Sequence, residues 1–402
     1  MLIRVHPWLK KSSRRATISG DTDRVQLCAT LNTYKTLDYS QPVPSGQKSI
    51  SIMHRRSFLK STVALAVAMP LPRILTAADA TPTLHPRVKI GFLGVAHSHA
   101  MEKVKVIRES PAFELVGICE ASGKVRERYV DMDVRFISEG ALFKECTVVA
   151  VESDVRDHAR HARLALEAGK HVHVEKPPAD SLPTFQQLVT LARDKQLLLQ
   201  VGYMWRYNPG MVTAMEAARK GWLGDIYLVR GTINTTLDAD RRPEWAEFKG
   251  GAMFELGCHL IDTMVRLLGR PNSVTPSLHK HGNFTDNLAD NTVAVFGFGN
   301  ATGIITSSTL GPNAGPHRFF EILGTSGAAL LKPIEPPTLQ IDLAKAAGAY
   351  AAGNQTLKFP PYRRYVGDFD ELAEAVRAQR PLTVSLEEEL AVQQTLIRAC
   401  EM

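Results

Sequence analysis

Residues 87–94 form a short apolar run, Arg-Val-Lys-Ile-Gly-Phe-Leu-Gly, that ends at a glycine. Residues 100–109 then carry Met101, Val104, Val106 and Ile107 among charged neighbours. The first pattern predicts a buried strand and the second an amphipathic helix. Apolar runs at 113–119, 147–151, 171–174 and 197–201 continue as strands, with helical spacing at 156–168 and again before 197. Strands alternating with helices of about 10–15 residues predict a parallel, doubly wound sheet. From about 220 the pattern changes. Runs at 226–233, 291–298, 301–305 and 319–324 read as strands with few helices between them, the middle two as a hairpin turning at Gly299-Asn300. Residues 333–362, rich in Pro, Ala and Gly, read as loop, and 368–379 and 386–399 return to helical spacing.

Composition adds little until the charges are located. The 402 residues are 44% hydrophobic and 22% charged, as in an ordinary globular chain long enough for two domains. No apolar run reaches the length that spans a bilayer, so no stable membrane span is expected. The formal charge of +7 and the sequence pI near 9.1 suggest nucleic acid as a partner. Residues 1–52 hold +5 of that charge, 53–80 hold +3, and 81–402 are left at −1. The nucleic-acid reading loses its support.

Residues 1–52 show no period and read as unstructured. At Met53 a charged start, His54-Arg55-Arg56-Ser57-Phe58-Leu59-Lys60, leads into a mild apolar run, 61–69, and then Ala78-Asp79-Ala80. This order predicts an export signal, and the paired arginines before Phe-Leu-Lys resemble the twin-arginine type, which exports folded proteins. Met53 is therefore the expected start, with 1–52 a mis-assigned or disordered extension. The expected partner is the twin-arginine export machinery and the expected location periplasmic or exported, or cytoplasmic if the internal signal is not used. Cys119, Cys146, Cys258 and Cys400 lack the CxxC spacing and are expected as free thiols.

Ligands of a doubly wound sheet bind at the carboxyl ends of its strands. Aligned on the G-x-G-x-x-G dinucleotide fingerprint, the first turn offers Gly94, Ala96 and His99, only the first a glycine. Glu120 closes the second strand and suits a ribose hydroxyl, which favours NAD over NADP, while Lys124 and Arg126 keep NADP open.

Gly169-Lys170-His171-Val172-His173-Val174-Glu175-Lys176-Pro177 resembles the "AGKHV…EKP" signature of the Gfo/Idh/MocA oxidoreductases. The resemblance continues through Val201–Pro209, Gly221–Ile226 and Gly250–Asp262, in order along nearly all of 86–390. It implies an α/β fold: an N-terminal Rossmann doubly wound parallel sheet over 86–205, then an α+β domain over 206–402 with a large, mostly antiparallel open sheet that also serves oligomerisation. It also implies an NAD(P)-dependent oxidoreductase for a sugar, polyol or sugar derivative, with tightly bound nucleotide and a homo-oligomeric state. The catalytic set carried over is Lys176, Glu255 and His259. The expected nucleotide contacts are Gly91, Gly94, Ala96, His97, Glu120, Ser153, His158, Glu175 and Lys176. Tyr203, Arg206 and Asp262 are expected to contact substrate, with Tyr207, Asp240, Arg241 and Trp245 as further candidates.

Chemistry supports the catalytic set independently. Oxidising an alcohol requires a group that takes the hydroxyl proton. A Lys176 buried at a strand end polarises the substrate oxygen, and burial is expected to lower its pKa. Glu255, His259 and Asp262 fall at i, i+4 and i+7 of an apparent helix and share a face. The family's Pro and Asn are missing from Ser153–His158, Glu255 stands where an Asp is usual, and two fingerprint glycines are gone. Such departures keep two alternatives open, redox-assisted glycoside cleavage and a non-catalytic nucleotide- or carbohydrate-binding protein. His97 and His99 suggest a metal pair, but no further ligand spacing supports it and no metal is expected.

Overall fold

A computed structural model of the chain describes residues 86–402. The basic extension and the export-type segment lie outside the described residues.

The first half builds as its periodicity predicts. Strands β1 (Val88–Leu93), β2 (Phe113–Cys119), β3 (Val148–Val151), β4 (His171–Glu175) and β5 (Leu199–Gly202) form one all-parallel sheet in the order β2-β1-β3-β4-β5. Helices α1 (Ala100–Glu109), α2 (Gly123–Glu127), α3 (Glu139–Glu145), α4 (His158–Glu167) and α5 (Leu182–Asp194) connect and cover it. Central β3 is buried along its whole length, which explains its unbroken Val-Val-Ala-Val run. Ser138 and Ser181 cap α3 and α5 by accepting from the amides of Ala141 and Thr184. Strand order reverses beside β1, so the crevice at the carboxyl ends of β1 and β3 is where a ligand is expected.

The second half contains α6 (Pro209–Arg219), β6 (Ile226–Asn234), α7 (Arg242–Ala246) and α8 (Cys258–Leu268). Strands β7 (Ser273–His279), β8 (Asn291–Gly297), β9 (Thr302–Ser308), β10 (Phe319–Gly324), β11 (Gly327–Leu331), β12 (Thr338–Leu343) and β13 (Gly353–Lys358) follow. With β6 they make an eight-stranded sheet, β13-β12-β11-β10-β6-β9-β8-β7, antiparallel except for the β6–β9 pair. The loop expected over 333–362 is corrected: β12 and β13 lie inside it. Leu339, Ile341 and Leu343 alternate inward along β12, a period of two that the surrounding Pro, Ala and Gly obscure.

Helices α9 (Val366–Ala378) and α10 (Leu386–Ala399) end the chain. They turn back onto the first half, α9 against β1 and α10 between α5 and α8. The Arg377 guanidinium donates to the Ala112 carbonyl at 2.7 Å and the Gln393 amide to the Ala179 carbonyl at 2.7 Å. The C-terminal helices thus hold the two sheets in one unit, in which the four described cysteines are unpaired. No helix among the described residues is long and apolar enough to cross a membrane.

Candidate active site

The turn after β1 is shaped by its first glycine. Gly94 has φ +72°, and a Cβ there would lie 2.5 Å from the Ser153 Cβ and 2.8 Å from its Cα, so only glycine fits against β3. The Val95 amide donates to Glu120 Oε2 at 3.0 Å and the Ser122 amide to Oε1 at 2.8 Å. Arg128 donates to the carbonyls of Val95 and Ala96 at 2.8 and 3.0 Å. The side chain at the N-terminus of α1, His99, makes no cap bond, leaving that helix end to an anion. Gly91 lies inside β1, where a Cβ would meet Leu142 of α3 at 2.3 Å; it is a packing position, not a ligand contact.

An outer cleft of about 410 Å³ starts at this turn, lined by Ala96, His97, Lys124 and Arg128 on one side and Asp240, Arg241 and Trp245 on the other. It leads past His97, Ser98, Arg241, Trp245 and Glu255 into an inner pocket of about 160 Å³. There Lys176, Glu255 and His259 come together, joined by Arg318 and Arg364. A dinucleotide suits this arrangement: a glycine turn, an uncapped helix end and the buried, unpartnered Ser153 Oγ stand at one end, and a polar pocket at the other. Glu120 has one oxygen engaged with its own turn and the other with the turn after β1, and it is Lys124 and Arg128 that face the cleft.

The Lys176 ammonium donates to the Glu255 carbonyl at 3.0 Å and lies 3.3 Å from its Oε2. Glu255 sits in a single π-helical turn, Met253–Gly257, that leads into α8, so it and His259 do not follow the plain i, i+4 spacing. Such turns widen a helix and recur at functional sites. Glu255 Oε1 and His259 Nδ1 are buried without hydrogen-bond partners among the described residues. Two unpartnered polar atoms in one small pocket imply a polar ligand there.

Burial depresses the Lys176 pKa, as expected, but Glu255, Cys258 and Glu175 together, with the Glu255 hydrogen bond, more than offset it, and the net shift is upward. The expected fall is thereby corrected, and Lys176 stays an ammonium. Burial raises the Glu255 pKa, partly opposed by Lys176. Burial, helped by the Lys176 and His99 charges, holds the His259 pKa well below its ordinary value, so that ring is neutral.

Other expected residues take different places. Arg206 donates to Asp262 Oδ1 at 2.7 Å and to Glu389 at 2.6 and 2.8 Å, all three buried and none lining the cleft. Their charges are spent on one another, which corrects the expectation that Arg206 and Asp262 meet substrate. Tyr203 stacks beneath that guanidinium and beside the His259 ring, a wall for the histidine. Tyr207 bonds Glu371, away from the cleft. His158 is buried with its nitrogens 2.8 and 2.9 Å from the Pro177 and Ser153 carbonyls; it braces the cleft floor.

Glu175 is buried between two groups, His99 Nδ1 at 3.1 Å from Oε1 and the Lys103 ammonium on Oε2. Lys103 also reaches Glu152 Oε1 at 2.7 Å and His173 Nε2 at 2.8 Å. Sequence reasoning missed Lys103, although it lies at i+3 on the stripe of Ala100, Val104 and Ile107 that α1 buries. A lysine on an apolar stripe signals a buried partner. Arg318 and Arg364 had no local signal, because only the long returns of the second half bring them to the pocket.

Comparison with known proteins agrees with the fold of both halves. Residues 88–203 match "Oxidoreductase family, NAD-binding Rossmann fold", and residues 211–330 match "GFO/IDH/MocA C-terminal domain". D-glucoside 3-dehydrogenase of Escherichia coli is 30% identical over 180 residues, 41% of this chain and 50% of that protein. The scyllo-inositol 2-dehydrogenase (NADP(+)) IolW of Bacillus subtilis is 26% identical over 204 residues, 48% of this chain and 54% of that protein. The chain thus spans about half the length of these relatives. In fold it is similar to an oxidoreductase from Agrobacterium radiobacter solved with NAD+, L-tartaric acid and magnesium. There the TM-score is 0.69 and the identity 18%, covering 79% of this chain and 96% of that one.

Proposed function

The chain belongs to the Gfo/Idh/MocA oxidoreductase family, and from that premise we propose an NAD(P)-dependent oxidoreductase for a sugar, polyol or sugar derivative. The observation that carries the reading is the inner pocket, where an ammonium, a carboxylate and a neutral imidazole converge at the end of the nucleotide-sized cleft. The outer cleft would hold the nucleotide, with Gly94 and the α1 terminus at its phosphates and Lys124 and Arg128 toward its far end. A bound nicotinamide supplies the hydride acceptor.

This chain's own residues handle the proton and the developing charge. In the oxidising direction the substrate hydroxyl gives its proton to neutral His259, while the Lys176 ammonium stabilises the negative oxygen. Glu255 holds Lys176 in place, and its free Oε1 accepts from a neighbouring hydroxyl. Arg318 at the pocket wall suits an oxygen-rich or acidic substrate, while Arg364 beside it is held by Glu335. Segment 53–80 fits the same proposal as an export signal, and the open face of the eight-stranded sheet as the oligomer interface.

The test is to purify the protein, identify any released nucleotide by mass spectrometry and assay nicotinamide reduction with pyranosides and polyols. Saturable nucleotide binding and sugar-dependent reduction, both weakened in Gly94→Ala, support the proposal. A protein that neither holds nor binds NAD or NADP sinks it.

A further inference from the structure

The turn that departs from the dinucleotide fingerprint does more than lose glycines. His97 and His99 both turn inward to the end of β4. One ligand atom from each of His97, His99 and Glu175 lies within 4.8 Å of the others. The His99 Nδ1 to Glu175 Oε1 separation of 3.1 Å already suits two donors on one ion. The two imidazoles stand nearly perpendicular, 84°, with centroids 4.7 Å apart. His97 must move inward before all three donors can reach the usual distance of about 2.0–2.2 Å from one cation.

We propose that His97, His99 and Glu175 form a binding site for one divalent transition-metal ion, with its open positions facing the inner pocket. Two imidazoles and a carboxylate are a donor set for zinc, iron(II) or manganese rather than for a hard ion such as magnesium. Glu175 is oriented for this by Lys103, itself fixed by Glu152 and His173, as outer residues orient a ligating carboxylate.

The inner pocket beside this cluster has an unpartnered polar atom of its own. His259 lines the inner pocket with His97 and His99, is 2% exposed, and its buried Nδ1 has no partner among the described residues. Lys103 is shared by Glu175 and Glu152, and Lys176 faces Glu255. A divalent cation held by three ligands keeps open positions that an anionic oxygen, such as a carboxylate or phosphate, would fill. The site shares His97 with the outer cleft, but its test reads metal binding, so its failure and that of the nucleotide proposal are distinguishable.

The experiment is a Zn2+ titration of the chelator-stripped full chain by calorimetry, with Mg2+ for comparison, and a visible spectrum after Co2+ loading. Expected are one Zn2+ per chain, a raised melting temperature, no competing Mg2+ and the ligand-field bands of low-coordinate cobalt. His97→Gln and His99→Gln should each weaken Zn2+ binding at least tenfold. Should either variant misfold, the wild-type cobalt spectrum and stoichiometry decide alone. No saturable site, or folded variants that bind as wild type does, would overturn the proposal.

Discussion

The Lys176 ammonium is bonded to the main-chain carbonyl of Glu255, at 3.0 Å, as well as facing its carboxylate at 3.3 Å. A residue at the end of the parallel sheet is thus tied to the π-turn that opens α8. The carbonyl contact survives loss of the acid, so the two residues should be separable by mutation. Lys176→Met should cut turnover roughly a hundredfold to a thousandfold, the range for losing one preorganised donor to a developing oxyanion. Glu255→Gln keeps the carbonyl bond and should cost less. Steady-state kinetics of both variants check this, and a Gln variant as impaired as Met would place the acid itself at the reacting atoms.

Arg206 lies between Asp262 and Glu389 in a buried triad. Arg206→Met leaves buried Glu389 without its counter-charge and Asp262 with Arg266 alone, at 3.6 Å, and should cost about 3–5 kcal/mol of stability. Urea unfolding measures it. A variant of wild-type stability but raised KM would restore Arg206 as a substrate contact.

Burial raises the Asp368 pKa from its ordinary 3.8 to about 7, against the pull of Lys103 and Arg206. Between those values the folded chain keeps a proton that the unfolded chain has lost. This group's contribution to stability therefore falls as pH rises from about 4 to about 7, and is level above. Asp368→Asn should gain on wild type across that window, by up to a few kcal/mol at neutral pH. Melting temperatures at pH 5 and pH 8 test it; an equal difference at both would contradict the assignment.

Gly94→Ala places a methyl group against the Ser153 backbone at positive φ. The turn must shift, so stability should fall by about 1–3 kcal/mol and nucleotide affinity with it. Differential scanning calorimetry and a fluorescence titration read the two effects.

Much of this was legible in the sequence. The βα alternation announced the parallel sheet because strands buried on both faces leave unbroken apolar runs, as in Val148–Val151. Lys176, Glu255 and His259 were found by pattern, and the fold brings them to one pocket. What stayed hidden depended on distant pairing. Asp262 and Arg206 looked like ligand contacts until Glu389, far along the chain, turned out to complete their ion pairs. Strand β12 was masked by composition and Lys103 by the habit of reading lysines as solvated; His97 and His99 were noticed as a pair, but the proximity of Glu175, far along the chain, was not.

The most direct test of the central claim is single-turnover formation of reduced nicotinamide, followed by its near-ultraviolet absorbance. Wild type and Lys176→Met would be mixed with NAD+ or NADP+ and a panel of sugars and polyols. The account predicts a sugar-dependent burst in wild type that is lost in the variant while nucleotide still binds. Bound nucleotide with no reduction by any sugar or polyol, or an undiminished burst in Lys176→Met, would contradict it.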